Sequence, residues 1–235
     1  MPRVQPSSLG LRGIALLEGL SAARLEALAR ECAWRNYEAG QRIISRDAPD
    51  RDVYFLVSGR ARVTTYSAAG KQVTFRDFDA GEFFGEVAAI DDLPRSADVL
   101  TLESALLASL SPAAFRRLLA GEPVIAERVL RGLASLVRRM SDRVIDLSTL
   151  GVHNRIHAEL LRLSRAAGVS RNAARIDPAP KHADLASQVS TYREQVTREL
   201  STLARAGVLG KDGSALVVRD VARLEKMVEE VRSGA

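Results

Sequence analysis

The chain has one cysteine, Cys32, among its 235 residues. That excludes an internal disulfide and a four-cysteine metal cluster. No apolar run is long enough to span a bilayer, and stretches such as Ala105–Ala108 are far too short. The first residues lack a charged segment followed by an apolar core, so no secretion signal is expected. Histidine is scarce, with only His153, His157 and His182. His153 and His157 stand at i, i+4 and could share a metal, but no third ligand lies nearby in sequence. They read as ordinary polar helix residues. No nucleophile–base arrangement, internal repeat or low-complexity tract stands out. These absences point away from an enzyme and from a membrane protein, and toward the cytoplasm.

What is present is enough apolar content, 46%, to build a core, in a length that suits one large domain or two ordinary ones. The net charge of +5 is unevenly placed. Residues 1–129 carry 16 Lys/Arg against 17 Asp/Glu, residues 130–150 carry 4 against 2, and residues 151–235 carry 14 against 10. A neutral front and a basic back suggest that only the back meets a polyanion.

Residues 1–10 read as a loose tail. Ser21 is a plausible cap for a helix with Leu25, Leu28 and Ala29 on one face. After Trp34, short runs rich in Val, Ile, Tyr, Phe and Thr alternate with glycines. They are Ile43–Ile44, Val53–Val57, Ala61–Tyr66 and Gln72–Phe75, with Gly40, Gly59, Gly70 and Gly81 at turns. This predicts an antiparallel sandwich or barrel. A further strand pair is expected at Ala97–Leu102 and Ala105–Leu110. Ser111-Pro112 opens a helix.

A long helix follows over Pro123–Thr149. Its Leu130, Leu133, Val137, Met140, Val144 and Leu147 are spaced 3, 4, 3, 4, 3, a heptad seam that predicts a symmetric two-stranded contact. Helix returns at Arg155–Arg165, then an irregular stretch runs to Pro180. A short helix, Ala183–Val189, a turn, and a second helix, Arg193–Ala206, come next. A hairpin through Asp212-Gly213 and a last helix, Val221–Val231, complete a winged helix-turn-helix.

One stretch stands apart: Phe84-Gly85-Glu86-Val87-Ala88-Ala89-Ile90-Asp91-Asp92-Leu93-Pro94-Arg95-Ser96-Ala97. A carboxylate at one end can accept from sugar hydroxyls. An arginine and a hydroxyl at the other can hold a phosphate. Glu86 and Arg95 could instead pair with each other.

The order β-roll, long helix, winged helix-turn-helix resembles the cyclic-AMP receptor protein and fumarate-nitrate regulator superfamily of bacterial transcription factors. The resemblance runs from about Leu11 to Val231, and Phe-Gly-Glu with Pro-Arg-Ser-Ala is similar to that family's phosphate-binding cassette. It implies an α+β fold with a cyclic-nucleotide-binding β-roll over residues 1–122, a dimerisation helix over 123–150, and a DNA-binding domain over 151–235. It implies that Glu86 takes the ribose 2′-hydroxyl beside the Gly85 backbone, that Arg95 pairs with the cyclic phosphate, and that Ser96 adds its hydroxyl and N–H. Val87 and Ala97 belong to the same cassette. In cyclic-AMP-responsive relatives a Thr-Ser or Thr-Asn pair on the dimer helix reaches the adenine. Here the pair is Met140-Ser141, so the effector is cyclic AMP or, alternatively, cyclic GMP. An iron–sulfur or haem sensor is not expected.

The same resemblance matches Arg193-Glu194-x-Val196-x-Arg198 to the recognition helix. It implies a homodimer on double-stranded palindromic DNA with TGTGA-like half-sites, in a bacterial cytoplasm, with RNA polymerase as a partner. Arg grips guanine O6 and N7, and Glu accepts from cytosine N4. Gln195 replaces a residue that is often small. Lys181, Thr191, Tyr192 and Lys211 are candidates for phosphate contacts. Ser190 stands where a turn glycine is usual. Two alternatives stay open: a regulator of this type with another effector or none, and a nucleotide-binding signalling module acting through protein partners.

Overall fold

A computed structural model describes residues 7–67, 70 and 72–232. Most of the expected N-terminal tail lies outside the described residues. Within them it ends early: Ser7 caps a short helix, α1 (Ser8–Arg12), whose Leu11 is fully buried. A 3₁₀ turn (Ala15–Leu17) leads to α2 (Ala22–Glu31), capped by Ser21, which accepts from the Arg24 N–H. Eight strands follow: β1 (Ala33–Tyr37), β2 (Arg42–Ile44), β3 (Val53–Ser58), β4 (Arg60–Tyr66), β5 (Gln72–Asp79), β6 (Phe83–Phe84), β7 (Asp98–Thr101) and β8 (Ala105–Leu110). Helix α3 (Glu86–Asp91) interrupts them between β6 and β7. The expected turn glycines Gly40, Gly59, Gly70 and Gly81 all have positive φ, and a Cβ on Gly59 would meet the Ser104 carbonyl oxygen at 2.4 Å.

The strands form two four-stranded sheets, ordered β1-β8-β3-β6 and β2-β7-β4-β5. Between them lies a core built from both, with Tyr37, Leu56, Phe84 and Leu107 from one sheet and Ile44, Phe78 and Val99 from the other. The outer face of the first sheet is covered by helices. Leu11, Leu28, Phe115 of α4 (Pro112–Gly121) and Ile125 of α5 (Pro123–Thr149) pack on Phe55 and Ala108. This is the expected β-roll. Strand β1 was not foreseen. It is an edge strand paired with β8 through Trp34↔Ala108, and polar Arg35 and Asn36 blur its alternation.

By internal contacts the chain divides into two units, residues 1–70 with 74–136, and residues 71–73 with 137–235. The long helix α5 spans the limits expected for it. Along it Leu130, Val137 and Val144 are each more than 60% exposed, while Leu133 packs on the first unit's core and Met140 is half-buried.

The second unit continues with α6 (Val152–Ala167), β9 (Val169–Ser170), β10 (Ala173–Ile176), α7 (His182–Gln188), α8 (Arg193–Arg205), β11 (Leu209–Asp212), β12 (Ala215–Val218) and α9 (Val221–Arg232). Its sheet runs β11-β12-β10-β9. Ile156, Leu160, Leu185, Val196, Leu203 and Leu224 pack its helices together. The stretch expected to be irregular holds β9 and β10. Their hairpin turns on Arg171 and Asn172, both at positive φ, with no glycine to announce it. Asn172 is held there by bonds to Asp220 and to the Ala222 N–H.

Candidate functional site

The cassette is set by one backbone constraint. Gly85, at the start of α3, has φ of +90°, and a Cβ there would lie 2.8 Å from the Asp52 carbonyl oxygen and 2.9 Å from Arg95 Nη1. Only glycine allows this approach. Arg95 follows the helix and is 3% exposed. Its backbone is tied to the loop before β3: Arg95 N–H donates to Ala48 O at 3.2 Å, and Asp47 N–H donates to Arg95 O at 2.9 Å.

The Arg95 guanidinium is heavily engaged. Nη1 donates to Gly85 O at 3.1 Å and Nη2 to Asp52 O at 2.7 Å. The Nε–Nη2 edge grips one carboxylate oxygen of Asp50, at 3.2 and 2.7 Å. The Tyr54 ring, stacked on Phe84, lies 5.8 Å away. The structure thus corrects the Glu86–Arg95 pairing: the carboxylate on Arg95 belongs to Asp50. Glu86 is half-buried at the start of α3. Burial pushes its carboxyl up, opposed by its own N–H and by the charges of Arg76 and Arg95. Val87 and Ala97 are half-buried and Ser96 is exposed. The structure therefore brings Gly85 and Arg95 into contact, with Glu86 next in the chain and Ser96 open to solvent.

Met140 and Ser141 fall in the second unit. Ser141 is exposed, and its hydroxyl donates back to the Val137 carbonyl of its own helix at 3.0 Å, which leaves its lone pairs to accept.

In the helix-turn-helix, Arg193, Glu194, Gln195 and Arg198 lie exposed on the first turns of α8. Val196 is fully buried, as expected of a core residue. Tyr192 is 63% exposed, and Lys181, just before α7, and Lys211, on β11, are exposed. Thr191 departs from expectation. It is 5% exposed, its N–H donates to Ala186 O, and its hydroxyl donates to Gln195 Oε1. The side chain is turned inward and locks the turn. Ser190 does adopt positive φ, +56°, and accepts a hydrogen bond from Arg143 at 3.2 Å. That bond offsets some of the strain of a non-glycine residue there.

Sequence reasoning missed three neighbours. His182 bonds Thr197 of α8 at 2.8 Å, and burial with the charges of Arg193 and Lys211 pushes its imidazole down. It therefore ties α7 to α8. Asp50 had no local signal. The reading of His153 and His157 as ordinary polar residues is also corrected. Both bond the buried carboxylate of Glu199 on α8, at 2.5 and 2.7 Å, and His157 is itself buried. Among the described residues no group of three such side chains is arranged to hold a metal, and no helix is long and apolar enough to cross a membrane.

Comparison with known proteins follows the same division. Residues 34–122 match the family model of the cyclic nucleotide-binding domain, and residues 154–227 match that of the Crp-like helix-turn-helix domain. A CRP-like cAMP-activated global transcriptional regulator of Mycobacterium tuberculosis is 24% identical over 212 residues, covering 90% of this chain and 95% of that protein. The cyclic AMP receptor protein of Thermus thermophilus is 27% identical over 222 residues, covering 92% and 98%. Among solved structures, the c-di-GMP-responsive global regulator CLP of Xanthomonas campestris is similar in fold. Its TM-score is 0.69 at 22% identity, covering 84% of this chain and 99% of that one.

Proposed function

Because the chain belongs to the cyclic-AMP receptor protein and fumarate-nitrate regulator superfamily, a group of transcription regulators and not of enzymes, we propose that it is a homodimeric DNA-binding regulator controlled by a cyclic nucleotide. In this reading residues 1–122 sense the nucleotide, 123–150 form the dimer helix, and 151–235 bind a palindrome. The effector is cyclic AMP, with cyclic GMP as the alternative, and RNA polymerase is a partner.

The observation that carries the reading is Arg95. It is a buried guanidinium whose fork already grips an oxyanion at 2.7 Å. Such an edge suits two phosphate oxygens. The Glu86 carboxylate, raised by burial, is an acceptor for a sugar hydroxyl at the other end of the cassette. Gly85 leaves room for backbone and guanidinium to meet. The nucleotide, once bound, would supply negative charge to Arg95 and hydroxyls to Glu86, and it shifts the protein only by binding one arrangement better than another.

The test is calorimetric titration of the full chain with cyclic AMP and with cyclic GMP, repeated on Arg95→Ala. Binding by wild type and its loss in the variant is the expected outcome. Absence of binding by wild type, and by variants in which the Arg95 fork is freed of Asp50, would favour a regulator with another effector or none. Met140, an apolar residue where responsive relatives place a hydroxyl, is the feature that favours this second reading.

A second test concerns DNA. Arg193→Ala is expected to lose about 1–3 kcal/mol of discrimination at its own base pair. Lys211→Ala is expected to weaken all sequences alike and to lower the salt dependence of binding. Competition binding on matched and scrambled palindromes at several salt concentrations separates the two. Equal losses on specific and random DNA for both variants would reject the assignment of Arg193 to base reading.

A further inference from the structure

The fork of Arg95 is the one group in the cassette fit to clamp a phosphate, and an internal carboxylate holds it. Four N–H contacts of this guanidinium are spent: two on Asp50 Oδ2, one on Asp52 O and one on Gly85 O. An arginine has five N–H groups. What is left is a single N–H on Nη1, which cannot make a two-point contact. The two backbone acceptors are fixed parts of the fold, one on the αL residue Gly85 and the other on Asp52, just before β3. Asp50 differs in kind. It sits on the loop between β2 and β3, and its side chain is 47% exposed where that of Arg95 is 2%. It can swing into water, where a carboxylate is well solvated, while Arg95 stays buried between Tyr54 and the cassette.

We propose that Asp50 is an internal competitor for the phosphate site, holding the Arg95 fork until the cyclic phosphate displaces it. The proposal rests on the nucleotide reading above. It says that the affinity of this chain for its effector is lowered by its own carboxylate, and that binding releases the β2–β3 loop from the cassette's side-chain clamp. Like charges cannot share one edge of the guanidinium, so phosphate and Asp50 exclude each other. Exchange of one oxyanion for another keeps Arg95 neutralised in both states. A buried arginine is thus never left without a counterion, which would be costly. The same loop is tied to Arg95 by two backbone bonds, through Asp47 and Ala48. Departure of Asp50 therefore changes the side-chain clamp without unfolding the loop.

The rival is a positioning role, in which Asp50 orients Arg95 for the ligand and its loss weakens binding. The two roles predict opposite signs, so one experiment decides. Cyclic AMP and cyclic GMP are titrated into the full-length protein as wild type, Asp50→Asn and Asp50→Ala. Melting curves from Trp34 fluorescence confirm that each variant is folded. Asparagine keeps the shape and removes the charge; alanine removes both. The expected result is tighter binding by both variants, on the order of ten-fold or more, since a charge-assisted bond no longer competes. Detectable binding only in the variants would support the proposal most strongly. Equal or weaker binding by Asp50→Asn, with wild type binding normally, overturns the proposal and leaves the nucleotide reading intact. Binding of neither nucleotide by wild type or by either folded variant overturns both.

Discussion

Val137→Asp combined with Val144→Asp is expected to convert the proposed homodimer to a monomer and to remove binding to a palindrome. Leu130, Val137 and Val144 recur every seven residues on α5 and are 66%, 64% and 63% exposed, and Ile145 and Leu147 add to the same stretch at 57% and 42%. A stripe of large apolar side chains at this spacing suits the seam of a two-stranded coiled coil. Two carboxylates on each helix would face two on the other across that seam, in a place from which water is expelled. Because these positions are solvent-exposed within one chain, the substitutions should leave the fold of each chain nearly unchanged, within about 0.5 kcal/mol. Loss of the dimer then separates the two DNA-reading heads. Each half-site must be bound alone, and affinity for the full palindrome falls by roughly 10²–10⁴-fold. Sedimentation velocity checks the oligomeric state, and a gel-shift titration checks the DNA. A variant that still sediments as a dimer would move the seam elsewhere.

The reason α5 could be placed from the sequence, and some other parts could not, is the range over which each signal acts. Its apolar residues repeat within seven positions and proline stands at its first turn, so both its limits and its exposed apolar stripe are written locally. The helix-turn-helix was legible for the same reason, from Val196 and Leu203 on one face and the Gly207 turn at φ of +76°. Strand β1 was not, because an edge strand with Arg35 and Asn36 lacks clean alternation. The β9–β10 hairpin hid behind a turn made without glycine. In the candidate site, Gly85, Glu86 and Arg95 could be named because they share one short segment. Asp50 could not, because it meets Arg95 across 45 residues of chain. Thr191 looked like a phosphate contact from its place in the turn. Its inward bond to Gln195 depends on side-chain rotamers, which sequence spacing does not encode.

The buried carboxylate of Glu199 carries the largest expected effect on stability. Glu199 lies on α8, on the side away from Arg193 and Arg198, and accepts from His153 Nδ1 at 2.5 Å and from His157 Nε2 at 2.7 Å. An ionised carboxylate only accepts, so each imidazole must present an N–H to it. The three side chains tie the recognition helix to α6. Glu199→Ala should cost the C-terminal unit about 3 kcal/mol, since it leaves the buried His157 N–H without its acceptor and opens a gap between two helices. Burial raises the Glu199 carboxyl, but the hydrogen bonds and charges of His157 and His153 outweigh it and hold the group below the ordinary glutamate value of 4.5. The sign of the pH dependence follows. A carboxyl depressed on folding binds fewer protons in the native state, so its stabilisation is fully present above 4.5 and is lost as pH falls through the depressed value. Acid should therefore loosen the DNA-binding unit of wild type in a step that Glu199→Gln lacks, because glutamine does not titrate. Helix content by circular dichroism, scanned from neutral to acid pH, reads both units together. The single tryptophan, Trp34, lies in the first unit and reads that unit alone. The expected outcome is an early loss of helix signal in Glu199→Ala at unchanged Trp34 fluorescence, with DNA affinity falling alongside the helix signal. If Glu199→Ala melts like wild type, or if Glu199→Gln keeps the full acid step, the carboxylate does not hold the recognition helix.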